Sequence, residues 1–158
     1  MARKLSLIFF VVLVLGLVGC DQSTKAAAVS QLAHGNTMEI VPGVLDFSYA
    51  ENTDMAFGAL RWIPPQVRRP FLLTVGFGLV LAFSAVILTG KVRGIEGLGY
   101  ATALAGAIGN HGDRLFRGHV VDWIHVHHWP VFNVADACLV AGMALIVLAQ
   151  WRRTRAPG

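Results

Sequence analysis

Three of the chain's nine acidic residues, Asp113, Asp122 and Asp136, fall in residues 110–136, between two strongly apolar segments. A carboxylate where a hydrophobic chain enters or leaves a bilayer is costly to bury, and such residues commonly mark a functional site. Two carboxylates in one partly desolvated site cannot both ionise cheaply, so they share a proton and their affinities for it split. The ionised member can then deprotonate a water while the protonated one polarises a carbonyl and later protonates the leaving amine. That chemistry hydrolyses an amide with no nucleophilic side chain, metal or cofactor. Asn133 and Asp136, three apart at the start of an apolar run, share a helix face. Asp122 lies in HVVDWIHV, whose alternation suits an extended segment leading into that run. The simpler alternative is that each aspartate is a helix cap or an ion-pair partner, Asp113 with Arg114 for instance. A metal enzyme is a rival reading, because His111, His119, His125, His127 and His128 cluster near the aspartates and imidazole with carboxylate is a plausible zinc set. Against it, HVHHW has no recognised ligand spacing, and interfacial His is commonly solvated, so no metal is expected.

The elements that must position these residues belong to a membrane protein. With 55% hydrophobic residues, 14% charged and a mean hydropathy of +0.60, the chain is too apolar to cover a globule with polar surface. Its net charge of +4 does not indicate nucleic acid, since the Lys and Arg residues sit in small clusters at the edges of apolar runs. Cys20 and Cys138 lie in or beside such runs and give no disulfide framework. Apolar runs at 5–29, 70–90, 95–112 and 131–150 are each near the length that crosses the hydrocarbon core. The third is rich in Gly and Ala, the composition that lets membrane helices pack closely. In the first, Asp21 and Lys25 are four apart and can neutralise each other near the membrane edge. The loop at 30–69 carries two short strand-like segments, 38–41 and 44–50, around Pro42-Gly43. It is too small for a core of its own.

The expected fold is therefore membrane α: one domain over 1–158, with four transmembrane helices and a small extracytoplasmic β-sheet cradle. Four spans place Arg3, Lys4, Lys91, Arg93, Arg152, Arg153 and Arg155 on one side, which the positive-inside rule makes cytoplasmic. Both termini are then cytoplasmic and residues 110–136 approach the outer face, although Lys25, Arg61, Arg68, Arg69, Arg114 and Arg117 weaken the bias.

Four motifs in order carry a resemblance: DQSTK, with Asp21, Gln22, Thr24 and Lys25; NTDMAFG, with Asn52, Ala56 and Phe57; GNHGDRLFRGHVVDW, with Gly109, Asn110, Asp113, Arg114, Gly118 and Asp122; and FNVAD, with Phe132, Asn133, Ala135 and Asp136. Over nearly its full length the chain resembles the bacterial lipoprotein signal peptidases (signal peptidase II), an aspartyl membrane peptidase family. The resemblance implies that Asp122 and Asp136 are the catalytic pair, with Asp113 in support and Asn52, Asn110, Arg114 and Asn133 holding substrate or orienting the aspartates. Asp21 and Lys25, in the first motif, join this supporting set. It further implies an endopeptidase, monomeric in the bacterial inner membrane, whose substrates are prolipoproteins with a diacylglyceryl cysteine, cut just before that cysteine while the lipid stays in the bilayer. Asp54 and Met55 depart from the small residues usual after Asn52, and Trp123 stands where Phe is commoner. A non-enzymatic reading rests on the N-terminus: Arg3 and Lys4, a short apolar run and Leu-Val-Gly-Cys look like a lipoprotein signal ending at Cys20. The apolar remainder opposes it, because a cleaved lipoprotein releases a soluble domain, so the first helix is expected to remain intact.

Overall fold

The computed structural model describes residues 2–54, 60 and 62–155, with side chains described from residue 4 onward. Met55, Ala56 and Phe57, from the second motif, and Arg61 lie outside the described residues. The elements run α1 (Ala2–Leu32), β1 (Thr37–Val41), β2 (Leu45–Asn52), α2 (Pro65–Leu88), α3 (Gly94–Phe116), β3 (Val120–Val126) and α4 (Val134–Arg155).

Among the described residues, α1, α2 and α4 are long and apolar enough to cross a membrane. Their outer faces keep large apolar side chains exposed: Ile8, Val12 and Leu15 on α1, Phe77 and Leu81 on α2, Val140 and Val147 on α4. Faces of this kind suit lipid rather than water. The third apolar run forms α3, which packs against all three other helices and does not share their lipid-facing composition. Instead it buries Gly97, Gly99, Ala101, Ala103, Leu104, Ala105, Gly106 and Ala107. A helix enclosed by helices meets backbone rather than lipid, so it needs small residues more than large apolar ones. Gly99 and Gly142 show how close the approach is: a Cβ on Gly142 would stand 2.7 Å from the Gly99 carbonyl oxygen, and one on Gly99 2.9 Å from that of Gly142. Phe10 and Val14 of α1, Ile87 of α2, and Ala101, Leu104 and Ala105 of α3 form the main apolar cluster.

The two strand-like segments of the loop pair as an antiparallel hairpin, β1 with β2, turned through Gly43 at φ 67°. The HVVDWIHV segment forms β3, which adds antiparallel to β2 and completes the sheet order β1-β2-β3. Three strands are few for independent stability, and this sheet rests on the end of α1, where Ala28, Leu32 and Val121 are buried under Phe47, Tyr49 and Trp123. The Phe47 and Trp123 rings meet edge to face at 4.8 Å between centroids. Trp123 thus fills a place in the sheet–helix contact.

Candidate active site

Asp136 owes its orientation to the start of α4. Asn133 caps that helix: the Asp136 backbone N–H donates to Asn133 Oδ1 at 2.9 Å, and the Asn133 N–H donates back to Asp136 Oδ2 at 3.3 Å. This is a reciprocal capping box with Asp in the acidic position. The helix consequently begins at Val134, three residues into the apolar run, because Asn133 and Asp136 are used as its cap. A second carboxylate serves the same terminus, since the Ala135 N–H donates to Asp21 Oδ1 at 2.9 Å. An anion there is favoured by the helix dipole and the unpaired N–H groups.

Asp122 arrives from β3. Backbone N–H groups of Trp123 and Ile124 both donate to the Phe132 carbonyl, and the Phe132 N–H donates to that of Ile124, which ties β3 to the chain entering α4. Asn133 is thereby set beside Asp122. Its side-chain amide donates to Asp122 Oδ1 at 2.6 Å, while Asn52, at the end of β2, donates to Asp122 Oδ2 at 2.9 Å. Asn110 from α3 donates to Asp136 Oδ1 at 2.7 Å. The two carboxylates therefore share Asn133 and each holds a further amide. Burial pushes the Asp122 carboxyl up to about 6, against the lowering effect of the Asn52 hydrogen bond and with a further raising contribution from the Asp136 charge.

Below this pair lies a buried ionic cluster. Lys25, Asp21 and Asp113 are respectively 0%, 1% and 1% exposed. Lys25 Nζ lies 2.9 Å from Asp21 Oδ2 and 2.9 Å from Asp113 Oδ2, and donates to Asn110 Oδ1 at 3.1 Å. Three acceptors match the three ammonium donors, which is what permits a buried lysine. The Asn110 carbonyl, fixed by Lys25 and by Asn133 Nδ2 at 3.1 Å, leaves its amide to face Asp136. Lys25 thus orients an amide that touches one of the aspartates. Gln22 bridges Asp21 and Asp113 at 3.1 and 3.2 Å. Gly109 allows this approach: a Cβ there would meet Asp21 Oδ2 at 2.5 Å.

Asp113 pairs with Lys25 and Arg117, not with the adjacent Arg114. Consecutive helical side chains diverge, whereas positions four apart meet. Arg114 instead donates to the Asp54 carbonyl at 2.9 Å, and its buried Nε has no hydrogen-bond partner among the described residues. Asp54 itself faces Arg68 at 3.6 Å. The residue not anticipated from sequence is Arg117, whose i,i+4 spacing from Asp113 was the available signal; His111, one of the clustered histidines, lines the cavity described next.

A cavity of about 470 Å³ opens between α2, α3 and α4. Leu72, Val75, Leu79, Leu139 and Val140 give it apolar walls; Asn52, Asn110, Arg114 and Asp136 supply polar groups, and Trp129 and Phe132 also line it. The cavity thus reaches Asp136, which Asn133 links to Asp122. Three of the clustered histidines have other partners: His125 and His127 face Asp46, and His119 lies 3.7 Å from Glu51.

A family model described as signal peptidase (SPase) II matches residues 13–152. The chain is 36% identical to the lipoprotein signal peptidase of Syntrophotalea carbinolica over 86% of each chain. To that of a Sulfurihydrogenibium species it is 35% identical, covering 94% of this chain and 92% of the relative. Its fold superposes on a bacterial membrane enzyme solved by the in meso method at 2.3 Å, with a TM-score of 0.79 at 24% identity, over 93% of this chain and 90% of that one. Matches of this extent, spanning every element that carries the site, establish that the chain belongs to the signal peptidase II family of proteases.

Proposed function

We propose that this protein removes signal peptides from prolipoproteins carrying a diacylglyceryl cysteine, cutting just before that cysteine, with Asp122 and Asp136 activating the water. The observation that supports this most is the carboxylate pair held by Asn52, Asn110 and Asn133, with Asp136 lining an apolar cavity. Substrate lipid lies along Leu72, Val75, Leu79 and Val140 and remains in the bilayer, while the scissile amide reaches the aspartates. With one proton between them, the ionised carboxylate takes a proton from water and the other carboxyl polarises the carbonyl. The tetrahedral intermediate then collapses as the protonated carboxyl gives its proton to the leaving amine. Arg114, beside the pair, holds substrate backbone or developing charge, and Asn52 steadies Asp122 from the sheet.

In this reading α3 is a fourth span within a single-domain inner-membrane protein that functions as a monomer. Both termini are cytoplasmic and the sheet lies outside. The test is cleavage of a lipidated prolipoprotein by purified Asp122→Asn and Asp136→Asn proteins. Each variant is expected to lose at least about 10³-fold in kcat/KM. Full activity in either properly folded variant would remove the pair from the mechanism, and loss in Asp113→Asn without loss in Asp122→Asn would reassign it.

A further inference from the structure

Away from the catalytic cavity, Asp46, His125 and His127 bring one ligand atom each to within 4.8 Å of one another. Among the described residues this is the one group of three or more His, Cys, Asp or Glu side chains so arranged. Strand geometry produces it. Residues two apart on a strand share a face, which places His125 and His127 together. Asp46 is the direct cross-strand partner of His125 in the β2–β3 ladder. One residue beyond β3, the His127 N–H donates to the Val44 carbonyl at 2.9 Å, so backbone pairing holds that position as well. His125 Nδ1 lies 3.1 Å from both Asp46 oxygens, and His127 Nε2 lies 3.1 Å from Asp46 Oδ2. The two rings stack with centroids 5.3 Å apart.

We propose that Asp46, His125 and His127 form a binding site for a divalent transition ion of the zinc class, on the outer sheet and separate from the catalytic aspartates. Two imidazole nitrogens and a carboxylate oxygen are a ligand set that suits zinc, with water in the fourth position. Metal–ligand distances of about 2.0 Å put neighbouring ligand atoms in a tetrahedron about 3.3 Å apart. The two 3.1 Å His–Asp separations already approximate two edges of that tetrahedron. Closing the third needs only a side-chain adjustment, and the partial exposure of all three side chains, 17% for Asp46, 34% for His125 and 41% for His127, admits both the ion and its water. Bound there, the ion clips β2 to β3 at the end of the ladder opposite the Asn52–Asp122 hydrogen bond.

The experiment uses the intact protein in detergent micelles, titrated with zinc against a chromogenic zinc indicator. One equivalent is expected to bind to the wild type and to raise its unfolding temperature as ligand linkage requires. In Asp46→Asn and His127→Gln the affinity falls at least tenfold and the temperature rise disappears. Substituting His34, an exposed histidine outside the group, or Asp136 leaves both intact. Unfolding temperatures without zinc establish that the variants are folded. Absence of stoichiometric binding by the wild type, or undiminished binding in both folded cluster variants, overturns the proposal.

Discussion

Asp122 and Asp136 do different structural work. Asp136 caps its own helix with Asn133, while Asp122 is buried in a strand and held by two side-chain amides. Burial favours the protonated form of Asp122, which suits the member that polarises the carbonyl and returns a proton to the leaving amine. If that proton is essential, kcat/KM falls as pH rises through the carboxyl's titration near 6. Asn52 donates to the ionised form and so holds the value down. Asn52→Ala therefore moves the alkaline limb of the pH–rate profile to higher pH, with kcat lower by about tenfold from lost positioning; a limb that stays in place would remove Asn52 from this role. Both aspartates were legible from residue type and the apolar runs around them. Asn133 was legible beside Asp136 from their spacing of three, whereas Asn52 and Asn110 were legible only through the motif resemblance, because their partners lie far off in the chain.

At the scale of elements, the ionic cluster beneath the site joins α1 to α3, and Asp21 also reaches the start of α4. Lys25 is completely buried against Asp21, Asp113 and Asn110. Lys25→Met leaves Asp21 without its cation and Asp113 with Arg117 alone, and truncating one partner of a buried network costs about 3–5 kcal/mol. Thermal unfolding in micelles is expected to show that loss, and a variant as stable as wild type would mean the lysine is dispensable. Helix packing makes a second prediction. Gly142→Leu forces a side chain against the Ala103 N–H and the Gly99 carbonyl, both backbone. It should lower the unfolding temperature more than Gly78→Leu, whose Cβ position is open. The i,i+4 relation of Asp21 and Lys25 was visible in the sequence; their third partner, Asp113, lies 88 positions beyond Lys25 in the chain and is brought there by the packing of α1 on α3.

For the whole molecule, three apolar helices enclose one rich in glycine and alanine, and a small sheet covers the end of α1. The proposed topology puts Glu39 of the hairpin outside and Thr154 inside. Single cysteines at these positions, in a background lacking Cys20 and Cys138, should react with a membrane-impermeant maleimide in intact spheroplasts at Glu39 alone; Thr154 should react only after permeabilisation. The opposite pattern would invert the orientation. Because α1 runs unbroken through Cys20, the mature protein is also expected to retain residues 1–19 by intact mass.

By itself, the sequence determined the membrane class, the apolar runs, the hairpin segments and the four motifs. These depend on composition, local periodicity and turn chemistry, which act over a few residues. Only the tertiary structure decided the rest. It placed α3 in the middle of the bundle, where close backbone approach selects glycine and alanine over large apolar residues. Arg117 and Lys25, rather than Arg114, became the partners of Asp113 because helix geometry points adjacent side chains apart. Strand register set Asp46 opposite His125, a relation invisible in HVHHW because its third member lies in another strand. The carboxylate pair depends on the same kind of information: β3 and the cap of α4 bring Asp122 and Asp136 to a shared Asn133, and no local spacing specifies that meeting.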